Sequence, residues 1–381
     1  MKKIVIAPDS FKGTMNSIEI CDIVERGIKN VFPEAETVKV PIADGGEGTV
    51  DAFLEAVGGT RINIKVKDPL MREIDSFYGI LNDKKTAVIE MAAASGLPLL
   101  SDEEKNPSLT STYGTGQLML DALEKGCSRI ILGLGGSATN DGGIGMAAAL
   151  GVKFLDKDNN EIPLNGGGLK YLHRIDVSGK DPRLEKCEII AACDVDNPLY
   201  GPNGAACVFS PQKGADEEMV KMLDDNLKHY AEVIQNDFGI TVQDIPGTGA
   251  AGGIGAALVA FMGARLESGI KIILDCVNFD NLISGADLII TGEGKIDGQS
   301  LRGKVPVGIA GRALKQGVPV IAVVGNIGDD IDAVYDKGIS AVFCTSRKPV
   351  PFDIAKLHCR EDLLATIESI MRYTKAIQFK R

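Results

Sequence analysis

Four segments carry side chains whose types and spacing suit the handling of a phosphorylated ligand. They are Asp9-Ser10-Phe11-Lys12-Gly13-Thr14, Asp44-Gly45-Gly46-Glu47-Gly48-Thr49, Gly135-Gly136-Ser137-Ala138-Thr139-Asn140-Asp141-Gly142-Gly143 and Thr291-Gly292-Glu293-Gly294-Lys295-Ile296-Asp297-Gly298. Each joins glycine to a small hydroxyl residue and a carboxylate or cation. Bare glycines let backbone N–H groups approach phosphate oxygens, and a helix N-terminus adds partial positive charge. Carboxylates hold Mg²⁺ or accept a proton from an alcohol, and a lysine pairs with an anionic group. Any one such segment reads as a tight turn. Four in one chain favour a binding surface.

Other segments are weighed beside these. Gly298-Gln299-Ser300-Leu301-Arg302-Gly303-Lys304 has the spacing of a phosphate-binding P-loop as far as its lysine. Val305 and Pro306 then stand where a hydroxyl must hold Mg²⁺, so it is not a P-loop. It still gathers Lys295, Arg302 and Lys304 beside Glu293 and Asp297, as a phosphate and its metal require; a solvated charged loop is the plainer reading. Asp194 follows a strand expected over 188–191, in a loop stiffened by Asn197-Pro198 and Gly201-Pro202. It is the candidate general base, against the plainer role of a turn-forming aspartate. Two matches to the dinucleotide fingerprint, at Gly133-x-Gly135-x-x-Ala138 and Gly247-x-Gly249-x-x-Gly252, carry little weight in a glycine-rich chain.

Composition limits the alternatives. The chain has 381 residues, room for two or three domains of about 150 residues each. Apolar residues make up 44% and charged residues 24%, which suits a globular rather than a disordered protein. Glycine, at 45 residues, is well above the usual share of about 7%. The net charge of −11, with no basic block, argues against nucleic acid as a partner. Eight cysteines without a C-x-x-C pair read as reduced thiols of a cytoplasmic protein. Three scattered histidines offer no zinc site. The uncharged stretch Ile245 to Ala264 holds six glycines and a proline, so it reads as a loop and a buried helix rather than a membrane span.

The elements that must position these residues follow from periodicity. Lys3 to Ala7 reads as a short buried strand and Thr37 to Val40 as a second strand. They alternate with a helix capped by Ser17 and a helix over Thr49 to Val57. Thr60 to Lys67, Glu73 to Leu81 and Thr86 to Glu90 read as strands, the last two joined by a polar hairpin turn. Helices are expected at Gly114 to Lys125, Asp141 to Leu150 and Ala215 to Asp237, with strands at Arg129 to Leu134 and Val152 to Leu155. From Asp287 the opening rhythm returns: a strand to Thr291, a glycine-rich loop, a helix over Val307 to Lys315 and a strand over Val318 to Val324. A helix over Asp329 to Tyr335, a strand over Ile339 to Cys344 and a last helix from Asp353 complete it. The expected class is α/β: a Rossmann-like doubly wound parallel sheet domain, residues 1–67 and 285–381, with a large inserted mixed α/β domain, residues 68–284. The active site is expected in the interdomain cleft. Two sequential domains split near Asp181-Pro182 are the alternative.

Taken together, the four glycine-rich segments resemble the signature segments of the bacterial type I glycerate kinases, in order and over essentially the whole chain. The resemblance implies ATP-dependent phosphorylation of D-glycerate at the 2-hydroxyl, with the 3-hydroxyl as the alternative, and a fold with one Rossmann-like half. On this reading Asp194 and Lys12 are catalytic, and Ser10, Lys12 and Asp44 bind glycerate. Gly135, Gly136, Ser137, Lys295 and Lys304 hold ATP, while Glu293, Asp297 and Asp141 hold Mg²⁺. The partner is a small molecule, neither nucleic acid nor membrane. A dinucleotide-dependent hydroxy-acid dehydrogenase and a non-catalytic anion-binding protein are the competing classes.

Overall fold

A computed structural model describes residues 1–42, 46, 48–298, 300 and 304–378. In chain order its strands are β1 (Lys3–Pro8), β2 (Glu36–Lys39), β3 (Gly59–Lys67), β4 (Glu73–Leu81), β5 (Thr86–Glu90), β6 (Arg129–Gly133) and β7 (Lys153–Leu155). They continue with β8 (Arg174–Asp176), β9 (Glu188–Ala192), β10 (Arg265–Glu267), β11 (Leu288–Ile296), β12 (Val320–Ile327) and β13 (Ile339–Cys344). The chain divides into two compact units. One comprises Met1–Asp44, Glu55–Val57 and Ile270–Arg381, the other Gly45–Leu54 and Gly58–Gly269.

Among the described residues the first unit contains a five-stranded sheet in the order β13-β12-β11-β1-β2, parallel throughout. Its central strands are continuous apolar runs, Ile4 to Ala7 and Leu288 to Ile290, as burial on both faces requires. From β1 the chain moves to β2 on one side, while β11, β12 and β13 build outward on the other. The order therefore reverses between β1 and β11, and ligands of open α/β sheets bind outside the carboxyl ends of strands at such a point. The helix Ser17–Val31 packs Ile20, Val24 and Ile28 into this unit's core, with Leu363 and Ile367 from the C-terminal helix Phe352–Gln378. Its cap is Asn16 rather than the expected Ser17: the Asn16 side chain accepts the Glu19 N–H.

The second unit holds a six-stranded sheet in the order β10-β9-β6-β5-β4-β3. β5, β6, β9 and β10 are parallel, and β3 and β4 extend the sheet antiparallel. The helix Glu217–Phe238 starts at an Asp216 cap and buries Leu223, Leu227, Tyr230 and Ile234, the expected stripe. Among the described residues no helix is long and apolar enough to cross a membrane.

Four further expectations are corrected. The chain passes between the units at 44/45, 54/55, 57/58 and 269/270 rather than at 67 and 284. β3 pairs with β4 along its whole length, from Gly59↔Leu81 to Lys67↔Glu73, and so belongs to the second unit. At the other end, Ile270 packs on Gly308, and Arg312 bonds to Asp275 and Asp280, which ties that segment to the first unit. The strand expected to end at Thr291 runs on to Ile296, because Gly292 to Ile296 stays in register with Val323 to Ile327 of β12. The helix expected from Asp141 begins only at Ile144, since Gly142 and Gly143 take left-handed φ values of 65° and 79° that a helix cannot contain. Finally, Asp332–Lys337 forms a 3₁₀ turn instead of an α-helix.

Candidate functional site

At the carboxyl ends of β1, β11, β12 and β13 the first unit opens into a cleft of about 690 Å³. Its floor is set by the turn after β1. The Asp9 N–H donates to the Gly292 carbonyl at 2.9 Å, and the Asp9 carboxylate accepts the Ser10 N–H at 2.6 Å. A bridge between Phe11 and Met15 closes the loop, burying both and leaving Lys12 exposed between them. Glu293 reaches the cleft from β11 with only 5% of its surface exposed. Its Oε1 accepts the Ser300 hydroxyl at 2.6 Å, and Lys304 Nζ stands 3.9 Å from Oε2. Burial pushes this carboxyl above the usual range, opposed by the Ser300 hydrogen bond and the charges of Lys304 and Lys12. Lys295, two residues on along the strand, pairs with Asp297 at 3.0 Å.

Ser10, Lys12, Glu293, Lys295 and Lys304 therefore line one cleft, as Asp9 does, and Asp297 joins them through Lys295. Asp44, Glu47 and Arg302 lie outside the described residues. Thr345, Ser346 and Lys348 also line the cleft and were not expected. Nothing in their sequence marks them; they arrive because β13 lies beside β12.

In the second unit, the loop leaving β6 is tied down on several sides. The Leu97 N–H donates to the Gly136 carbonyl at 2.9 Å, and the Ala138 N–H to Ser95 at 2.9 Å. Lys213, 2% exposed, donates from Nζ to Ser137 Oγ and to the Thr139 carbonyl, each at 2.7 Å. Burial pushes this lysine down to about 7, with the Asp141 charge opposing. The side chains of Thr139 and Asn140 are buried and have no hydrogen-bond partner among the described residues. Gly135 is half-buried and Gly136 exposed, so their backbone is the accessible part of the loop. Ser137 was expected to face a phosphate; its side chain is buried and its oxygen accepts from Lys213.

Asp141 is a further correction. It was expected to hold metal, but it is fully buried. Its Oδ2 accepts the N–H and hydroxyl of Thr112, both at 2.8 Å, and the Gly145 N–H at 3.3 Å; Oδ1 accepts the Gly143 N–H at 3.0 Å. Burial raises its pKa, against these four donors. It anchors the loop to Thr112 and to the start of the next helix. Lys213, by contrast, was not anticipated, because Gln212-Lys213-Gly214 looks like any surface lysine. Asp194 is exposed at the end of β9, its Oδ1 accepting the Gly269 N–H at 3.0 Å. Since β6 and β9 pair as far as Gly133↔Ala192, the loops bearing Gly135 and Asp194 leave neighbouring strand ends. Lys12 and Glu293 belong to the first unit, Lys213 and Asp194 to the second.

Comparison with known proteins adds an independent line. The model described as the glycerate kinase family matches residues 4–375. A glycerate kinase of Bacillus cereus is 51% identical over 368 residues, 97% of each chain. A glycerate 2-kinase of Escherichia coli is 52% identical over 341 residues, 90% of each chain. A crystal structure described as that of a candidate glycerate kinase 2 from Salmonella typhimurium LT2 matches with a TM-score of 0.89 at 44% identity, covering 99% of both chains.

Proposed function

The chain belongs to the glycerate kinase family, and on that footing we propose that it transfers the terminal phosphoryl group of ATP to the 2-hydroxyl of D-glycerate. The observation that carries the reading is the cleft at the β1/β11 reversal, where Lys12, Lys295 and Lys304 gather beside the buried Glu293. Phosphoryl transfer asks a protein mainly for positioning and charge stabilisation, and such a group supplies both. Lys295 and Lys304 contact phosphate oxygens. Lys12 and Ser10 take glycerate, with Lys12 on its carboxylate or on a phosphate; Asp44 joins them on sequence grounds. The N–H groups of Gly135 and Gly136 face phosphate oxygens.

Mg²⁺ needs only one or two protein carboxylates, the rest of its shell being phosphate and water. Glu293 and Asp297 meet that requirement, and the ion would there neutralise phosphate charge. Asp194 accepts the hydroxyl proton. The hydroxyl oxygen forms a new bond to phosphorus as the bond to the ADP oxygen breaks, leaving ADP and phosphoglycerate.

Phosphorus NMR of the product from Mg-ATP and D-glycerate tests the reading. A 2-phosphate sits on a carbon with one hydrogen and gives a proton-coupled doublet, whereas a 3-phosphate gives a triplet. The doublet is expected. A triplet would move the reaction to the 3-hydroxyl, and ADP formation no faster with D-glycerate than without it would remove the kinase assignment.

A further inference from the structure

We propose that the wall of this cleft built by Phe352 and Val350 receives the nucleobase of the phosphoryl donor. The inference rests on the kinase reading above and assigns the half of the cleft which that reading leaves unused. Size is the first argument. A cleft of about 690 Å³ falls in the range of roughly 300–1,000 Å³ that takes drug-sized ligands, and a three-carbon acid fills little of it.

Polarity is the second. Lys304 stands beside Glu293, and Lys12 and Lys295 line the cleft with them; Phe352 and Val350 give the same cleft an apolar part, in a stretch of lining that also carries Lys348, Lys356 and Asp362. A methyl group placed on Gly294 would stand 3.5 Å from the Lys12 backbone nitrogen, and one on Gly13 would stand 3.9 Å from Phe352 Cζ. The lining thus passes from the backbone of β11 at Gly294, across residues 11–13, to an aromatic ring. A ligand with a polyanionic end and a flat apolar end fits that sequence, and a nucleoside triphosphate is such a ligand.

Exposure is the third. Phe352 is 62% exposed and Val350 38% exposed, and both line a cleft that is otherwise largely polar. Phe352 opens the C-terminal helix, and the Pro351 carbonyl accepts the N–H groups of Ile354 and Ala355 at 2.9 and 3.0 Å. Its backbone is therefore fixed by the first helical turn and by prolines at 349 and 351. The point from which the ring projects is thereby set. Asn326, Thr345 and Ser346 line the same cleft and offer an amide and two hydroxyls to the edge of a base or to a ribose.

The test compares the wild type with Phe352→Ala and Phe352→Trp. Calorimetry with ADP alone reads nucleotide affinity without turnover, and inorganic tripolyphosphate serves as a probe that has phosphates but no base. Loss of a stacking partner is expected to weaken ADP by about tenfold or more in Phe352→Ala, with Phe352→Trp restoring it. Tripolyphosphate affinity is expected to stay the same, and in kinetics the change falls on the KM for ATP rather than on that for glycerate. Unchanged ADP affinity, an equal loss for tripolyphosphate, or an effect confined to glycerate would each overturn the proposal. Wild-type protein that binds ADP with this Phe352 dependence yet leaves D-glycerate unphosphorylated would preserve the nucleobase site and remove the kinase reading.

Discussion

A lysine ammonium buried as deeply as Lys213 loses its hydration, and two hydrogen bonds to neutral oxygens replace only part of it. That is why the group titrates near 7 in the fold, against 10.5 for the ordinary side chain. Between these values the unfolded chain binds more protons than the folded one, so stability rises with pH across this interval and the contribution is flat below it. Lys213→Met deletes the effect. Urea denaturation at several pH values should show wild-type stability gaining on the variant from pH 7 towards about 10; parallel curves would contradict the buried titration. Asp194→Asn addresses the proposed base. It keeps the side-chain shape and an oxygen for the Gly269 N–H while removing the proton acceptor. Turnover number should fall by about 10²–10⁴ with ATP affinity little changed, and a fall below tenfold would end the assignment.

At the scale of elements, the 135–143 loop depends on a helix more than a hundred residues later in the chain. Ala250–Met262 begins with a bend in which Ala251, Gly252 and Gly253 all take positive φ. The bend brings the Gly252 carbonyl to the Gly142 N–H at 2.9 Å. A methyl group on Gly252 would stand 2.0 Å from the Thr139 carbonyl oxygen, in a conformation that L-residues already disfavour. Gly252→Ala should therefore destabilise by about 3 kcal/mol, near the top of the ordinary range for single substitutions. Chemical denaturation checks it, and a loss under about 1 kcal/mol would show that the loop yields easily. Most strands of this unit were legible because their periodicity is local; the three-residue strands β8 and β10 were not expected. β4 and β5 run over the residues expected of them, and β3 begins one residue earlier. The extension of β11 was not legible: Gly292, Glu293 and Gly294 look like a loop, and only pairing with β12 holds them extended.

At the scale of the whole molecule, a net charge of −11 gives an anionic substrate no general attraction. The cleft reverses that balance locally, since Lys12, Lys295, Lys304, Lys348 and Lys356 line it against Asp9, Glu293 and Asp362. Screening in physiological salt sets in over about 8 Å, so charges that line the cleft act on a ligand bound there more strongly than the rest of the surface does. The lysines come from both ends of the chain, because β1 enters the sheet from the N-terminus and β11 to β13 enter it from the C-terminal third.

The α/β class, most of the strands, the glycine-rich segments and the family resemblance can be read from the residues alone. All of these are written in short runs of neighbouring residues, where hydrophobic period and glycine spacing act locally. Tertiary structure decided what each charged side chain faces. Lys213 meets Ser137 across 76 positions of sequence, Asp141 turns inward to Thr112 across 29, and Phe352 comes to stand over Gly13. Burial and hydrogen bonding set whether a carboxylate can reach a ligand or a lysine loses its charge. Those quantities depend on which distant segments pack together, and no local pattern encodes them.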